Sequence, residues 1–265
     1  MIRIVRSMPA PAHLADKGTD TLKLHAAAVA KREKVEFDNT IYGHDSVKAV
    51  LVAMQHKKCA FCEADVRHVA PGHVEHFRPK GGVNQDAAEK VVKPGYWWLA
   101  YEWENLLFAC EVCNSRGKKN LFPLADPSKR CRKRTGALNA EVPVFINPAD
   151  ASDADPETLI DWRGSEPIAT GGNVRARTTI DELGLARPDL WEHRKAHYRR
   201  FERVWRSNEK LDAVLPVLRA KAECAGMVKG LEAEKAENDA LFADAVKDSA
   251  EYAGMIRAAV RRGFA

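Results

Sequence analysis

The sequence predicts an α+β fold, mostly helical, in which a small strand–strand–helix core is carried by N- and C-terminal helices. Three observations predict it. Two Cys-x-x-Cys pairs, Cys59/Cys62 and Cys110/Cys113, are separated by 47 residues. Two short segments in or beside that interval, Val74–Phe77 and Leu106–Ala109, read as strands, the second running straight into Cys110. Outside this stretch the chain is Ala-, Glu- and Lys-rich and patterned at helical spacing.

Taken in order, residues 1–20 read as an extended arm containing Pro9 and Pro11, with a short strand at Ile2–Val5. Leu22–Lys34 is Ala-rich and helical. Asp45 or Ser46 caps a helix whose apolar residues Val47, Val50, Leu51 and Met54 recur at i, i+3, i+4 and i+7. Residues 1–57 are therefore expected to support the central module, residues 58–125, and residues 126–265 to form a basic loop, a hairpin and a helical region. Tyr96-Trp97-Trp98 through Trp103 is the densest aromatic cluster. Such a cluster either packs a core or stacks bases. Lys129, Arg130, Arg132, Lys133 and Arg134 fall within six positions, as a solvated loop or a phosphate-contacting one. A hairpin is expected within 142–170, one or two helical turns at Thr178–Leu183 ended by Gly184, and a long helix over Asp189–Leu215. Its aromatic stripe reads as core, and its arginines as a solvated face or a nucleic-acid contact. One or two amphipathic helices are expected within 216–262.

The chain has 265 residues and a net charge of +5, with 45% hydrophobic and 30% charged residues. That is ordinary for a globular protein, and the basic balance permits a polyanionic partner. No apolar run reaches the roughly 20 residues of a membrane span, and the N-terminus lacks a signal-peptide core, so a cytoplasmic location is expected. In that compartment Cys-x-x-Cys spacing favours metal over disulfide. One pair alone is also a redox motif; two pairs make a tetrahedral four-thiolate zinc site, which is closed and hence structural. The 47-residue interval exceeds the usual ribbon gap of about 15–20 residues. Something is inserted, and the insert carries Glu75-His76. Cys131 and Cys224 are left as ordinary thiols.

A histidine on the first strand and asparagines on the second strand (Asn105) and following helix (Asn114) form the ββα-metal arrangement. Here the sequence resembles the HNH endonuclease family, in its branch with a four-cysteine zinc site. The residues carrying the resemblance are Cys59/Cys62, Glu75-His76 with Pro79, Asn105-Leu106, and Cys110/Cys113-Asn114 with Lys118. Glu-His-Phe-Arg-Pro-Lys80, Trp98–Leu106, Phe122-Pro-Leu124, Phe145-Ile-Asn-Pro148 and Thr179–Arg187 look like the HNH proteins of retron-associated and Septu anti-phage systems. The resemblance covers about residues 58–195. It implies an ATPase partner of the SMC/ABC type.

The roles follow from chemistry and agree with the family pattern. His76 is the expected general base toward water. Glu75 and Asn114 are expected to hold Mg²⁺ or Mn²⁺ through oxygen, and His73 is either a further ligand or a surface histidine. Asn105 is expected to fix the loop that orients His76. Arg116, Lys118 and Lys119 are expected near the scissile phosphate. Adjacent strand residues face opposite ways, so Glu75 and His76 share a site only at a distorted or terminal position. The expected substrate is DNA. A ribonuclease on the same parts and a non-catalytic zinc-clipped binding module are the alternatives.

Overall fold

The computed structural model describes residues 1–264 and is mostly helical, with two small two-stranded sheets. The elements are α1 (Ala12–Ala30), α2 (Asn39–Tyr42), α3 (Asp45–Met54), β1 (His73–His76), β2 (Leu106–Ala109), α4 (Pro156–Leu159), β3 (Ile160–Arg163), β4 (Glu166–Ala169), α5 (Val174–Glu182), α6 (Pro188–Arg219), α7 (Ala225–Ala245) and α8 (Ala253–Arg261). A seven-residue π-helix, Val112–Lys118, follows β2. Among the described residues no helix is long and apolar enough to cross a membrane.

The chain divides into two compact units, Met1–Ile160 with Ala169–Leu185, and Asp161–Ile168 with the residues from Ala186 onward. These do not coincide with the segments 1–57, 58–125 and 126–265. The first two and part of the third fold together, because the segment after Leu124 adds its apolar residues Phe145 and Ile146 to the same buried core.

In the first unit β1 and β2 pair antiparallel, with Glu75 opposite Leu107 and His76 opposite Leu106. Every residue of β2 is buried. Its outer edge is finished by a side chain: Gln55, just past α3, accepts from Phe108 N at 2.8 Å and donates to Phe108 O at 2.8 Å. A buried strand edge left unpaired would cost a hydrogen bond's desolvation per group, and this amide stands in for a third strand. Tyr96, Trp97, Trp98, Tyr101 and Trp103 are all buried, around two 3-10 turns at Trp97–Leu99 and Trp103–Asn105. The cluster is core rather than a stacking surface.

Two local expectations change. Ile2–Val5 forms no strand, although Ile4 N donates to Pro148 O at 2.8 Å. The arm ends at Pro11 and α1 starts at once, since proline's fixed φ suits the entry to a helix. Elsewhere α3 begins at Asp45, with His44 as its cap accepting from Ser46 N, and Gly184 closes α5 with φ +58.

In the second unit α6 and α7 lie side by side, and Trp205, Phe242 and Phe264 meet edge to face and tilted. Arg194 is fully buried with its guanidinium over Trp162 at 4.8 Å and over Tyr252 at 5.4 Å. The aromatic stripe of α6 is core, and Arg194 belongs to it.

Candidate active site

The four cysteines come together. Cys59 and Cys62 sit in a turn closed by the Lys58–Asp65 bridge, with Cys59 N donating to Ala64 O at 3.0 Å. Cys110 follows β2, Cys113 is the second residue of the π-helix, and Cys113 N donates to Cys110 Sγ at 3.4 Å. All four sulfurs are buried within 4.8 Å of one another, and Cys62 Sγ lies 3.9 Å from Cys110 Sγ. Tetrahedral zinc with bonds near 2.3 Å sets sulfurs about 3.8 Å apart, so the donor set fits that ion. The thiols alone share protons unequally. Cys110 is held far below the ordinary thiol value by hydrogen bonds from its neighbours, while donation to Cys110 pushes Cys113 up and burial pushes Cys59 up. A dication would let all four ionise.

The residue after Cys113 faces a different space. Asn114 lines a cavity of about 480 Å³ together with His73, Glu75, His76, Lys80 and Lys119. The strand places Glu75 and His76 there because His76 is the last residue of β1, where the pleat no longer fixes alternation. His76 is buried. Its Nε2 donates to the carbonyl of Ala100 at 2.9 Å, which leaves Nδ1 as the atom with the lone pair. Burial lowers the histidine well below its ordinary value, and the charges of Lys80 and Lys118 add to this against the Ala100 carbonyl. At neutral pH the ring is a neutral base. Tyr42 braces it edge-on at 4.7 Å between ring centres.

Asn105 binds the turn after β1 from three directions. Its Nδ2 donates to Arg78 O and Leu99 O, both at 3.0 Å, and its Oδ1 accepts from Arg78 N at 2.7 Å. Phe77 N donates to Asn105 O at 2.9 Å, so the segment directly after His76 is tied down. His73 Nδ1 lies 3.3 Å from Asn114 Nδ2 and 3.4 Å from Ser115 Oγ, so it belongs to the cavity rather than to open surface.

Lys118 corrects the expectation of a phosphate contact. It is fully buried, with Nζ donating to His76 O at 2.9 Å and paired to Glu75 Oε1 at 2.8 Å. A lysine carried inward by the π-helix and satisfied on both sides holds the Glu75-His76 backbone. Arg130 is corrected likewise: half-buried beneath an exposed loop, it donates to Tyr96 Oη at 3.0 Å and to Gln85 Oε1 and Phe122 O at 2.7 Å, a packing role. Arg116 is exposed and pairs with Glu111 at 3.3 Å. Lys119 is exposed and lines the cavity; Lys129, Arg132, Lys133 and Arg134 are exposed and are not among its lining residues. Lys80 and Tyr42 are in the cavity without having been assigned a role from sequence. Lys80 follows His76 by four residues, a spacing that carries no signal in a loop.

For a hard divalent cation the cavity offers the carboxylate of Glu75, the amide oxygen of Asn114 and the His73 ring. Among the described residues the only cluster of three or more His, Cys, Asp or Glu with ligand spacing is the cysteine one. A cation here therefore depends on the amide and on water, which suits Mg²⁺ or Mn²⁺ better than zinc.

Two curated proteins match the chain. Septu protein PtuB of Bacillus mycoides (strain KBAB4) is 32% identical over 200 residues, covering 73% of this chain and 66% of that protein. Septu protein PtuB of Bacillus thuringiensis is 24% identical over 178 residues, covering 67% of this chain and 55% of that one. This chain is a homologue of PtuB. It spans just under two thirds of one relative and just over half of the other. No family model and no solved structure matches it.

Proposed function

We propose that the chain is a metal-dependent HNH endonuclease that hydrolyses DNA phosphodiester bonds, acting as the nuclease of an anti-phage defence system beside an SMC/ABC-type ATPase. The observation that carries this reading is His76: a buried neutral imidazole with Nε2 committed to Ala100 and Nδ1 turned to a cavity shared with Glu75, Asn114 and Lys119. Homology to PtuB supports the defence role.

In this mechanism His76 Nδ1 takes a proton from water as the water oxygen attacks phosphorus. The bond to the 3′-oxygen breaks, and that oxygen is protonated from solvent. Lys118 holds the His76 carbonyl and Asn105 ties down the turn that follows at Phe77 and Arg78, which keeps the base in place. Lys119 offsets charge on the phosphate. Glu75 and Asn114 would hold Mg²⁺ or Mn²⁺, which when bound supplies Lewis acidity toward the phosphate oxygens. The cysteine zinc takes no part, since four thiolates leave no open position.

The test is plasmid nicking by the purified chain with Mg²⁺ or Mn²⁺, wild type against His76→Ala. Cleavage by wild type and loss of at least about a hundredfold in the variant is expected for removal of a general base. Equal cleavage by both would remove His76 from the mechanism.

A further inference from the structure

We propose that Lys80 is the phosphate-receiving residue of this cavity, and that before substrate enters its ammonium caps the base atom of His76. The inference rests on the phosphodiesterase reading above. It begins from a contact that a resting general base does not need: Lys80 Nζ lies 3.2 Å from His76 Nδ1. The other ring nitrogen is committed to Ala100 O, so Nδ1 holds the ring's one in-plane lone pair, and the ammonium takes it. A water molecule cannot be deprotonated by a nitrogen that is already accepting from a cation.

The surroundings of Lys80 favour release. Its ammonium rests over the Tyr42 ring at 4.3 Å and the Phe37 ring at 5.7 Å. These aromatic faces stabilise a cation without the geometric demand of a salt bridge. The carboxylate of the cavity, Glu75, is paired with Lys118 instead. Lys80 is thus a half-buried cation whose polar partner is a neutral imidazole, inside a cavity whose other lining residues include Asn114 and exposed Lys119. An anionic phosphate oxygen is a stronger acceptor than a neutral nitrogen. A phosphodiester entering the cavity draws Nζ onto itself, and the same movement exposes Nδ1 to water. Lys80 in this account binds substrate and couples its arrival to a competent base. Lys118, with both of its contacts internal, has no such freedom.

The experiment uses the full chain, a fluorescein-labelled DNA duplex as probe, and Ca²⁺ in place of Mg²⁺ to hold the complex uncleaved. Binding is followed by anisotropy across a salt series, and the His76 Nδ1 resonance by ¹⁵N NMR, for wild type, Lys80→Met and Lys80→Arg. Lys80→Met keeps the stem against Tyr42 and Phe37 but should weaken binding about tenfold and reduce the salt slope by about one; Lys80→Arg should retain most of both. In wild type, DNA should move the Nδ1 resonance toward the position it has in DNA-free Lys80→Met. If Lys80→Met binds with wild-type affinity and salt slope, or if the wild-type Nδ1 resonance ignores DNA, the proposal is overturned while nicking by wild type leaves the nuclease reading standing. A wild type that neither binds nor cuts nucleic acid overturns both. Should Lys80→Met lose zinc or fail to fold, Lys80→Arg and the wild-type resonance decide.

Discussion

The cysteine cluster and the cavity lined by His76 both draw on the π-helix that follows the β1–β2 hairpin, yet they are opposites. In the cluster every donor points at another donor, and nothing is exposed. In the cavity the polar groups of Glu75, His76, Lys80 and Asn114 surround about 480 Å³ of open space. One peptide bond, Cys113–Asn114, separates the two. The difference teaches that a small, loop-rich unit can devote its cysteines to closure and so leave its polar side chains around an open space where chemistry needs room. The closed centre is expected to dominate stability, the open one to dominate activity.

The largest effect should come from the closed side. Cys113→Ser removes one of four donors and is expected to release zinc and destabilise the first unit by several kcal/mol, about the scale of losing a structural zinc site. Metal analysis and thermal melting would show it; full zinc content and an unchanged melt would mean the cluster does not organise the unit.

Lys118→Met tests whether the two sides are mechanically joined. It strands the buried Glu75 carboxylate and removes a donor from His76 O, at a cost of about 3 kcal/mol. Burial also lowers Lys118 itself below the ordinary lysine value, with Glu75 opposing this. Chemical denaturation reads the loss, and a variant as stable as wild type would make the Glu75 pair dispensable. The smallest effect is expected outside both centres. Reversing charge at Lys129, Arg132, Lys133 and Arg134 should leave the melt within about 0.5 kcal/mol of wild type. It should also weaken DNA binding and flatten its salt dependence. Unchanged binding would leave that loop to solvent.

Much of this contrast was legible in the sequence, for a physical reason. Cysteine ligands and the Glu-His dipeptide act over short spacings, so Cys59/Cys62, Cys110/Cys113 and Glu75-His76 declare themselves in one dimension. Asn105 does so less directly, because its three partners belong to the turns at Arg78 and Leu99. Lys118 misled because a lysine four residues beyond Asn114 looks like surface; only the wide turn of the π-helix carries it inward to Glu75. Lys80 and Gln55 were illegible for the same reason: each acts through a side chain that crosses to another element. The early start of α1 was hidden by Pro11, which punctuates a loop and also opens a helix.

The most direct test of the division between closed and open centres is the zinc content and melting temperature of His76→Ala, measured beside its nicking activity. The account predicts a full zinc complement, a melt close to wild type and no nicking above background. Loss of zinc from His76→Ala, or wild-type nicking by it, would contradict the separation of a structural centre from a chemical one.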